Sequence, residues 1–238
     1  NWGADAIYDV VDKKLEFRSH YKMPAPQLET ENCVAHNGSI IPVPGRDIFV
    51  QAWYQGCISI IDFTDSSKPI EIAYFDRGPI KENQLITGGY WSVYYYEGSI
   101  YGTEITRGLD TFKLIPSEYL TKNEIAAAEL AYPSIGSRRL FNPQQQIPLT
   151  WPSEPEVALA YLDQLNRDNI LEDKTIDNIT KILDRVDSAM KRGGNNRLSR
   201  QIERIELTMD DPKFNGTTKY RIQKLNSTLK DIAQKLKR

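Results

Sequence analysis

The chain has 238 residues, of which 40% are hydrophobic and 26% are charged, an ordinary composition for a globular protein. Thirty Lys and Arg residues against 32 Asp and Glu residues leave a formal net charge of -2, which excludes a histone-like polycation or an acidic tail as the main mechanism. No apolar run reaches the roughly 18 residues that cross a bilayer, and a closed four-ligand zinc site would need both Cys and both His residues.

The composition changes along the chain near Trp151. The first 150 residues hold 20 of the 24 aromatic residues, 11 of the 14 glycines and 10 of the 13 prolines, with 13 basic and 18 acidic groups. The last 88 residues carry 17 basic and 14 acidic groups. Aromatic residues suit a half-buried pleated surface, and Gly and Pro punctuate turns. We therefore predict a β-rich part over 1–150 and a helical part over 151–238.

Two pairs of segments within the first 150 residues repeat each other. Gly56–Phe75 has a shortened counterpart in Ala6–Tyr21, and Arg46–Ile60 has a counterpart 52 residues later in Gly98–Phe112. Each unit consists of apolar and aromatic runs between Gly-containing turns, which indicates short strands joined by hairpins. The predicted strands are Cys33–Val43, Ile48–Tyr54, Cys57–Phe63, Trp91–Tyr96, Ile100–Thr106 and Leu109–Leu114.

The repeat spacing favours a β-propeller. Units of about 50 residues with three or four strands are typical of propeller blades, and a two-layer antiparallel sandwich is the alternative. At most three units can be counted, the first incomplete, whereas a closed ring needs about four to eight blades. We therefore predict a mainly β N-terminal part of propeller-type blades in an incomplete ring. Missing blades come from another segment or chain, or the array is open and exposes strand edges.

A family resemblance rests on two long segments. Glu31–Pro79 and Gly88–Ala128 resemble the C-terminal blades of LVIVD-repeat β-propeller proteins, which are exported proteins of bacteria and archaea. The stretch "ISIIDFTDSSKPIEIAYF" (Ile58–Phe75) resembles the repeat itself. The resemblance implies a blade-wise fold and an extracytoplasmic location (periplasmic, secreted or on the cell surface), and it implies no family-wide chemistry.

Apolar residues after Trp151 keep the three- and four-residue spacing of amphipathic helices. Val157, Tyr161 and Leu165 indicate the first helix. The three later series are Ile176, Ile179, Leu183, Val186 and Met190; Leu198, Ile202, Ile205 and Met209; and Ile222, Leu225, Leu229, Ile232 and Leu236. Breaks rich in Gly, Asn and Pro separate the series, so we predict a small helical bundle. The alternative is a helical appendix whose last two helices pack along the β part.

Five residues are candidates for ligand binding. An inward-facing His36 on the innermost strand of a blade could bind a metal or a ligand, and a hydrogen-bonded structural role is the alternative. Glu104 and Arg107, near a strand end, form either an ion pair between blades or part of a polar channel mouth. Gln51 and Trp53 are their companions on the matching strand. We assign no catalytic residue, metal or cofactor, because the sequence contains none of the usual phosphate-loop, nucleophile-elbow or metal-binding motifs.

Two further features of the β-rich part stay open on the sequence alone. Cys33 and Cys57 begin two strands of one unit, and they form either a disulfide in an oxidising compartment or two buried thiols. The aromatic run that follows Tyr90 and Trp91 alternates faces on a strand. One set of its rings then packs between blades, and the other set is covered or forms an exposed binding surface.

The sequence predicts an exported β-propeller binding or scaffold protein with no assigned catalysis. The alternatives are an enzyme or a metal- or ligand-binding propeller with its site in the central channel near His36, and a subunit of an extracellular assembly. An apolar, strand-like stretch follows Asn1 almost at once, so we expect a processed chain or a piece of a longer protein, with a protein partner or missing blades completing the ring. Nucleic-acid binding is not predicted, because the basic segment 197–238 offers only Phe214 and Tyr220 for stacking.

Overall fold

The computed structural model describes residues 3–134 and 147–237 of the chain. The chain divides into two compact units. The first comprises residues 1–42, 46–115 and 133–149, and its described part is built of strands. The second comprises residues 43–45, 116–132 and 150–238, and its described part is mostly helical. Within the described residues, the strands form several small sheets that do not close into a ring.

The strands of the described residues pair mainly along meanders. Their bounds are β1 (Asp5–Val11), β2 (Lys14–Tyr21), β3 (Gly38–Ile41), β4 (Ile48–Ala52), β5 (Ile58–Asp62), β6 (Ile70–Phe75), β7 (Tyr90–Tyr96), β8 (Ser99–Glu104), β9 (Gly108–Phe112), β10 (Tyr132–Pro133) and β11 (Leu149–Thr150). The sheets are β1-β2, β3-β4-β5-β6, β7-β8-β9 and the short pair β10-β11. All six predicted strands are confirmed, although the first is shortened to β3.

Tight turns between strands follow from local backbone conformation. Glu97 and Gly98 join β7 to β8, and both have positive φ angles, 45° and 78°. Asp12 and Lys13 join β1 to β2 with φ angles of 49° and 64°. Two successive residues with positive φ form the type I′ turn, whose twist matches that of the flanking strands. These turns fix the register of both hairpins.

The four-stranded and three-stranded sheets lie side by side within the first unit. Their first strands, β3 and β7, are linked by side chains. The amide of Asn37, the residue before β3, donates to the Tyr94 hydroxyl (3.1 Å) and accepts from the Val93 backbone N–H (3.3 Å). The Tyr95 backbone N–H donates to Ser39 Oγ (2.8 Å). Because β3 and β7 exchange these bonds through side chains, the two sheets stay separate ladders joined at their first strands.

The second unit is built around six helices in its described part. Their bounds are α1 (Lys122–Glu129), α2 (Pro155–Arg167), α3 (Asp173–Leu183), α4 (Val186–Lys191), α5 (Asn196–Ile202) and α6 (Gly216–Lys235). All six contribute aliphatic side chains to one buried cluster, among them Ala127, Leu162, Ile179, Val186, Leu198 and Leu225. The predicted apolar series thus supply the core, except for Met209, which is exposed. None of the helices described in the chain is both long and apolar enough to cross a membrane.

Two predicted helices differ from the observed ones. The series from Ile176 to Met190 is divided between α3 and α4 at Asp184 and Arg185. The series from Leu198 is helical only to Ile202, and the chain then becomes irregular. There the Asn226 amide accepts from the Leu207 backbone N–H (3.2 Å) and donates to the Leu207 carbonyl oxygen (2.8 Å). These side-chain bonds replace those of a continued helix.

The predicted division at residues 150/151 also differs from the observed one, because α1 belongs to the helical unit. Glu124 of α1 is buried and forms an ion pair with Arg167 of α2 (2.5 Å). The Glu124 carboxylate also accepts from the Thr121 backbone N–H (2.8 Å), completing a capping box. The turn 43–45 joins the same unit, where Gln164 Nε2 donates to the Pro44 carbonyl oxygen (2.8 Å).

We predict that Glu124→Ala lowers the free energy of unfolding by about 2–4 kcal/mol. The substitution removes a buried carboxylate that satisfies both the Arg167 guanidinium and the N-terminus of α1. Glu129→Ala, an exposed position on the same helix, should change the free energy by less than about 0.5 kcal/mol. Urea unfolding of the full chain, followed by far-UV circular dichroism, measures both. Equal effects of the two substitutions would contradict the assignment.

Candidate functional site

The structure separates the five predicted ligand-binding residues. Gln51, Trp53 and Glu104 are buried, whereas His36 and Arg107 are exposed. Gln51 Nε2 donates to the carbonyl oxygen of Ala52 (2.9 Å). Trp53, only 1% exposed, packs against Tyr21 with ring centroids 6.0 Å apart. Gln51 and Trp53 therefore serve the interior of the first unit.

Glu104 holds a turn together through backbone donors. Its carboxylate accepts from the backbone N–H groups of Gly89 (2.5 Å), Thr106 (3.0 Å) and Arg107, and from the Thr106 hydroxyl. Arg107 thus contacts Glu104 through its backbone N–H, while its side chain is exposed. A buried carboxylate must be hydrogen-bonded to donors. Here Gly89, just before β7, and Thr106 and Arg107, just after β8, supply them.

Cys33 and Cys57 are both buried, and they are free thiols in the structure. Cys57 Sγ donates to the Gln55 carbonyl oxygen (3.4 Å) and accepts from the Arg77 backbone N–H (3.3 Å). Burial raises the pKa of each thiol to about 12. The structure therefore places two neutral, unreactive thiols at the positions considered for a disulfide.

His36 belongs to a cluster of three aromatic side chains at the surface of the first unit. Its ring centroid lies 4.5 Å from that of Trp91 and 4.8 Å from that of Tyr54, and the Tyr54 and Trp91 centroids are 5.9 Å apart. His36 is exposed, Trp91 is 52% exposed and Tyr54 is half-buried. We call His36, Tyr54 and Trp91 the aromatic cluster, and it is the candidate functional site.

Backbone hydrogen bonds fix His36 and Tyr54. The His36 N–H donates to the Ala52 carbonyl oxygen (3.0 Å), which extends the β3–β4 pairing beyond the strands. Tyr54, in the turn from β4 to β5, has a left-handed backbone with φ of 50°. Its carbonyl oxygen accepts from the backbone N–H groups of Cys57 (3.0 Å) and Tyr90 (2.8 Å). The left-handed conformation of a bulky residue costs of order 1–3 kcal/mol and persists only where the surrounding structure holds it, as the two bonds to the Tyr54 carbonyl oxygen do here.

Gly89 makes the approach to Tyr54 possible. Its φ angle is 91°, and a Cβ atom added there would lie 1.9 Å from the Tyr54 carbonyl carbon. No other amino acid fits this position without displacing the turn. Gln55, which is buried beside Tyr54, accepts from the Asn32 backbone N–H (2.7 Å) and donates to the Ile86 carbonyl oxygen (3.2 Å). Gln55 thereby connects the segment before β3, at Asn32, and the segment before β7, at Ile86, to the turn between β4 and β5.

Trp91 is turned outward by an irregularity in β7. Tyr90 pairs with Glu104 and Ser92 with Thr103, which leaves Trp91 as the extra residue of a bulge. Bulges of this kind redirect side chains and are common next to functional sites. Tyr90 on one side of the bulge is fully buried. The bulge thus separates the exposed indole ring of Trp91 from its buried neighbour.

A polar network anchors Tyr90, the residue whose N–H bonds to Tyr54. The Tyr90 hydroxyl and the Arg77 guanidinium donate to Asp110 at 2.5 Å and 2.7 Å. These bonds, that from Tyr90 first, lower the pKa of Asp110, and burial raises the pKa of Tyr90. Arg77 also lies over the ring of Phe75, 5.1 Å from its centroid. The hydrogen bonds to Asp110 therefore fix the first residue of β7, Tyr90, which precedes Trp91.

The aromatic cluster suits stacking and hydrogen bonding rather than metal chemistry. Its rings offer apolar faces, and the imidazole, phenol and indole edges carry polar groups. Among the residues described, no three His, Cys, Asp or Glu side chains are grouped so that they could hold a metal ion. Exposed, contiguous aromatic surface is the usual mark of a binding site.

Sequence reasoning singled out one of the three cluster residues. It identified His36, left Trp91 undecided between the interior and the surface, and missed Tyr54. The only signal for Tyr54 is its place in the turn before Gly56 and Cys57. That signal misleads, because Tyr54 and Cys57 adopt positive φ angles instead of Gly56.

Comparison with protein-family models, with curated proteins and with solved structures finds no match for this chain. The resemblance to LVIVD-repeat proteins therefore remains a prediction from the sequence.

We predict that Gly89→Ala destabilises the first unit by at least about 2 kcal/mol more than Gly78→Ala. Both glycines have positive φ angles, so both substitutions introduce the same kind of backbone strain. Only the Cβ at residue 89 meets backbone atoms, whereas the one at residue 78 meets nothing within 4 Å. Denaturant unfolding monitored by tryptophan fluorescence measures the difference. Similar losses for both variants would show that the approach to Tyr54 is not tight.

Proposed function

We propose that this chain is an exported, β-propeller-type binding or scaffold protein that engages a protein partner through the aromatic cluster. The observation that carries the proposal is the exposed contact of His36, Tyr54 and Trp91 at the junction of two meandering sheets. No catalytic step is part of the proposal.

The strand arrangement supports a blade-like relation between the two sheets. Each is an up-and-down meander, β3-β4-β5-β6 and β7-β8-β9, and their first strands lie beside each other. The second hairpin of each is antiparallel, β4–β5 in the first sheet and β8–β9 in the second. Their registers differ, because Ile48 pairs with Asp62 across a longer loop and its counterpart Ile100 pairs with Phe112 across a shorter one. Propeller blades are four-stranded sheets arranged around a central channel, so the first sheet has the strand number of a blade and the second has one strand fewer.

The hairpin β1–β2 supports the need for a partner or for further blades. Tyr8 pairs with Phe17 and Val10 with Leu15, so the four side chains occupy one face of the hairpin. All four are exposed. A contiguous apolar face of this kind is normally covered by another protein surface. In the proposal, it is covered by the blades that complete the ring or by a neighbouring subunit of an extracellular assembly.

The energetics of the aromatic cluster support binding. Trp and Tyr are enriched among the residues that dominate the free energy of association. The bulge at Trp91 directs an indole ring that is 52% exposed into solvent, where it adds little to the packing of the first unit. We infer that the bulge and the Tyr54 turn hold the three rings in a fixed arrangement, which lowers the entropy lost on binding.

The extracytoplasmic location is proposed on the resemblance to exported LVIVD-repeat proteins. The two free thiols require no oxidising compartment, so the location does not depend on them. Fractionation of the cells that produce the protein tests this part separately from the binding function.

We predict that Trp91→Ala weakens partner binding at least tenfold and changes the free energy of unfolding by less than about 1 kcal/mol. The half-exposed indole contributes contact area to a partner and little to the interior. The labelled full chain would be applied to an array of unstructured peptides, with a glycan array as the comparison. Tyr74→Ala is the matched control, because Tyr74 is 74% exposed on β6 and lies outside the aromatic cluster.

The outcomes of the array experiment are distinct. Loss of peptide binding in Trp91→Ala with retention in Tyr74→Ala supports the proposal. Binding to glycans alone would replace the protein partner by a saccharide. Equal binding by wild type and Trp91→Ala would contradict the assignment of the aromatic cluster.

A further inference from the structure

The hairpin β1–β2 rests on the four-stranded sheet through a small inner face. The Tyr21 hydroxyl donates to Glu71 Oε2 of β6 (2.8 Å), and the Ser19 hydroxyl donates to the Ser66 carbonyl oxygen (2.7 Å). Tyr21 packs with Trp53 and Ile61 in a small buried cluster. These contacts are few compared with those of a central strand, so the docking of the hairpin is sensitive to any single unfavourable group on this face.

Asp5 is such a group. It pairs with Tyr21 across the two strands of the hairpin and lies next to the docking face. Its Oδ2 atom is buried and has no hydrogen-bond partner among the described residues, and the same is true of Nε1 of the buried Trp53. A buried carboxylate oxygen without a donor is strongly disfavoured when it carries a charge.

The groups that face Asp5 do not compensate its charge. Tyr21 has one hydroxyl proton and gives it to Glu71, which also receives the Ser59 hydroxyl (2.6 Å). Glu71 is itself a carboxylate, and the charges of Glu71 and Asp5 both disfavour ionisation of Tyr21. The docking face thus gathers two carboxyl groups around one phenol, and the available hydroxyl donors are used by Glu71.

We propose that the hairpin β1–β2 is a pH-dependent flap, which docks firmly on the four-stranded sheet while the Asp5 carboxyl is protonated and docks more weakly once it ionises. This inference is independent of binding through the aromatic cluster, because it involves none of the three residues of that cluster.

The direction of the pH dependence follows from burial. Desolvation raises the pKa of Asp5 from 3.8 to about 6 in the docked state. The docked state therefore holds its proton more tightly than the released state, and docking is strongest below pH 4. Docking weakens as the pH rises from about 4 to 6 and stays weak above that range. Because Asp5 is partly exposed, we expect a change in the docking equilibrium of about tenfold, below the full effect of the pKa difference.

Hydrogen exchange of the Trp53 indole N–H tests the flap in the full chain, since this buried group is covered by the docked hairpin cluster. After correction for the intrinsic exchange rate, its protection factor should fall about tenfold between pH 4.5 and pH 7.5 in the wild type. Asp5→Asn should abolish this fall. Asp12→Asn is the matched control on the same hairpin, because Asp12 is exposed in the turn between the two strands, and it should leave the fall unchanged.

A carbon-13 NMR titration of the Asp5 carboxyl in the wild type supplies a second measurement that needs no variant. It should give a midpoint near pH 6, at the upper end of the range over which Trp53 protection falls. A midpoint at the ordinary value for Asp, a protection factor that does not depend on pH, or the same fall in Asp5→Asn would each overturn the proposal. None of these outcomes changes the result of the array experiment on Trp91→Ala.

Discussion

The close approach of the Tyr54 turn to Gly89 is the contact on which the rest of the strand-built unit depends. The Tyr90 N–H donates to the Tyr54 carbonyl oxygen at 2.8 Å, and the Ile105 N–H donates to the Gly89 carbonyl oxygen at 3.0 Å. Both bonds need a glycine between them, because a Cβ at residue 89 would overlap the Tyr54 backbone. One steric requirement therefore sets the junction of two sheets and the arrangement of the exposed rings.

Buried polar side chains around this junction act mainly on the backbone. Glu104 satisfies the N–H groups of Gly89, Thr106 and Arg107, and Gln55 connects two chain segments through its amide. Burying such groups is favourable only when they are hydrogen-bonded. Asp5 departs from this pattern, since its buried oxygen has no such partner among the described residues. The contrast explains why we assign Glu104 to the framework and Asp5 to a conformational equilibrium.

Much of the fold could be predicted because it depends on local patterns. Apolar runs between Gly-containing turns located β4, β5, β7, β8 and β9, and helical spacing located the core residues of α2, α3 and α6. The predictions failed where a distant side chain decides the local structure. The helix predicted from Leu198 to Met209 ends at Ile202, and Asn226, far along the chain, is hydrogen-bonded to the backbone of Leu207. The ion pair between Glu124 and Arg167 joins α1 to the helical unit, and the spacing of apolar residues does not predict such a pair.

The sequence alone determined the strands β3, β4, β5, β7, β8 and β9, the core residues of α2, α3 and α6, and His36 as a candidate for binding, because periodicity and residue type act within a few neighbours. Only the tertiary structure placed Tyr54 and Trp91 beside His36. The bulge at Trp91 arises from the pairing of β7 with β8, whose residues lie about ten positions away. The left-handed backbone of Tyr54 belongs to a turn in which Gly56 is not the left-handed residue. Long-range hydrogen bonds and steric exclusion select these conformations, so they cannot be deduced from local sequence.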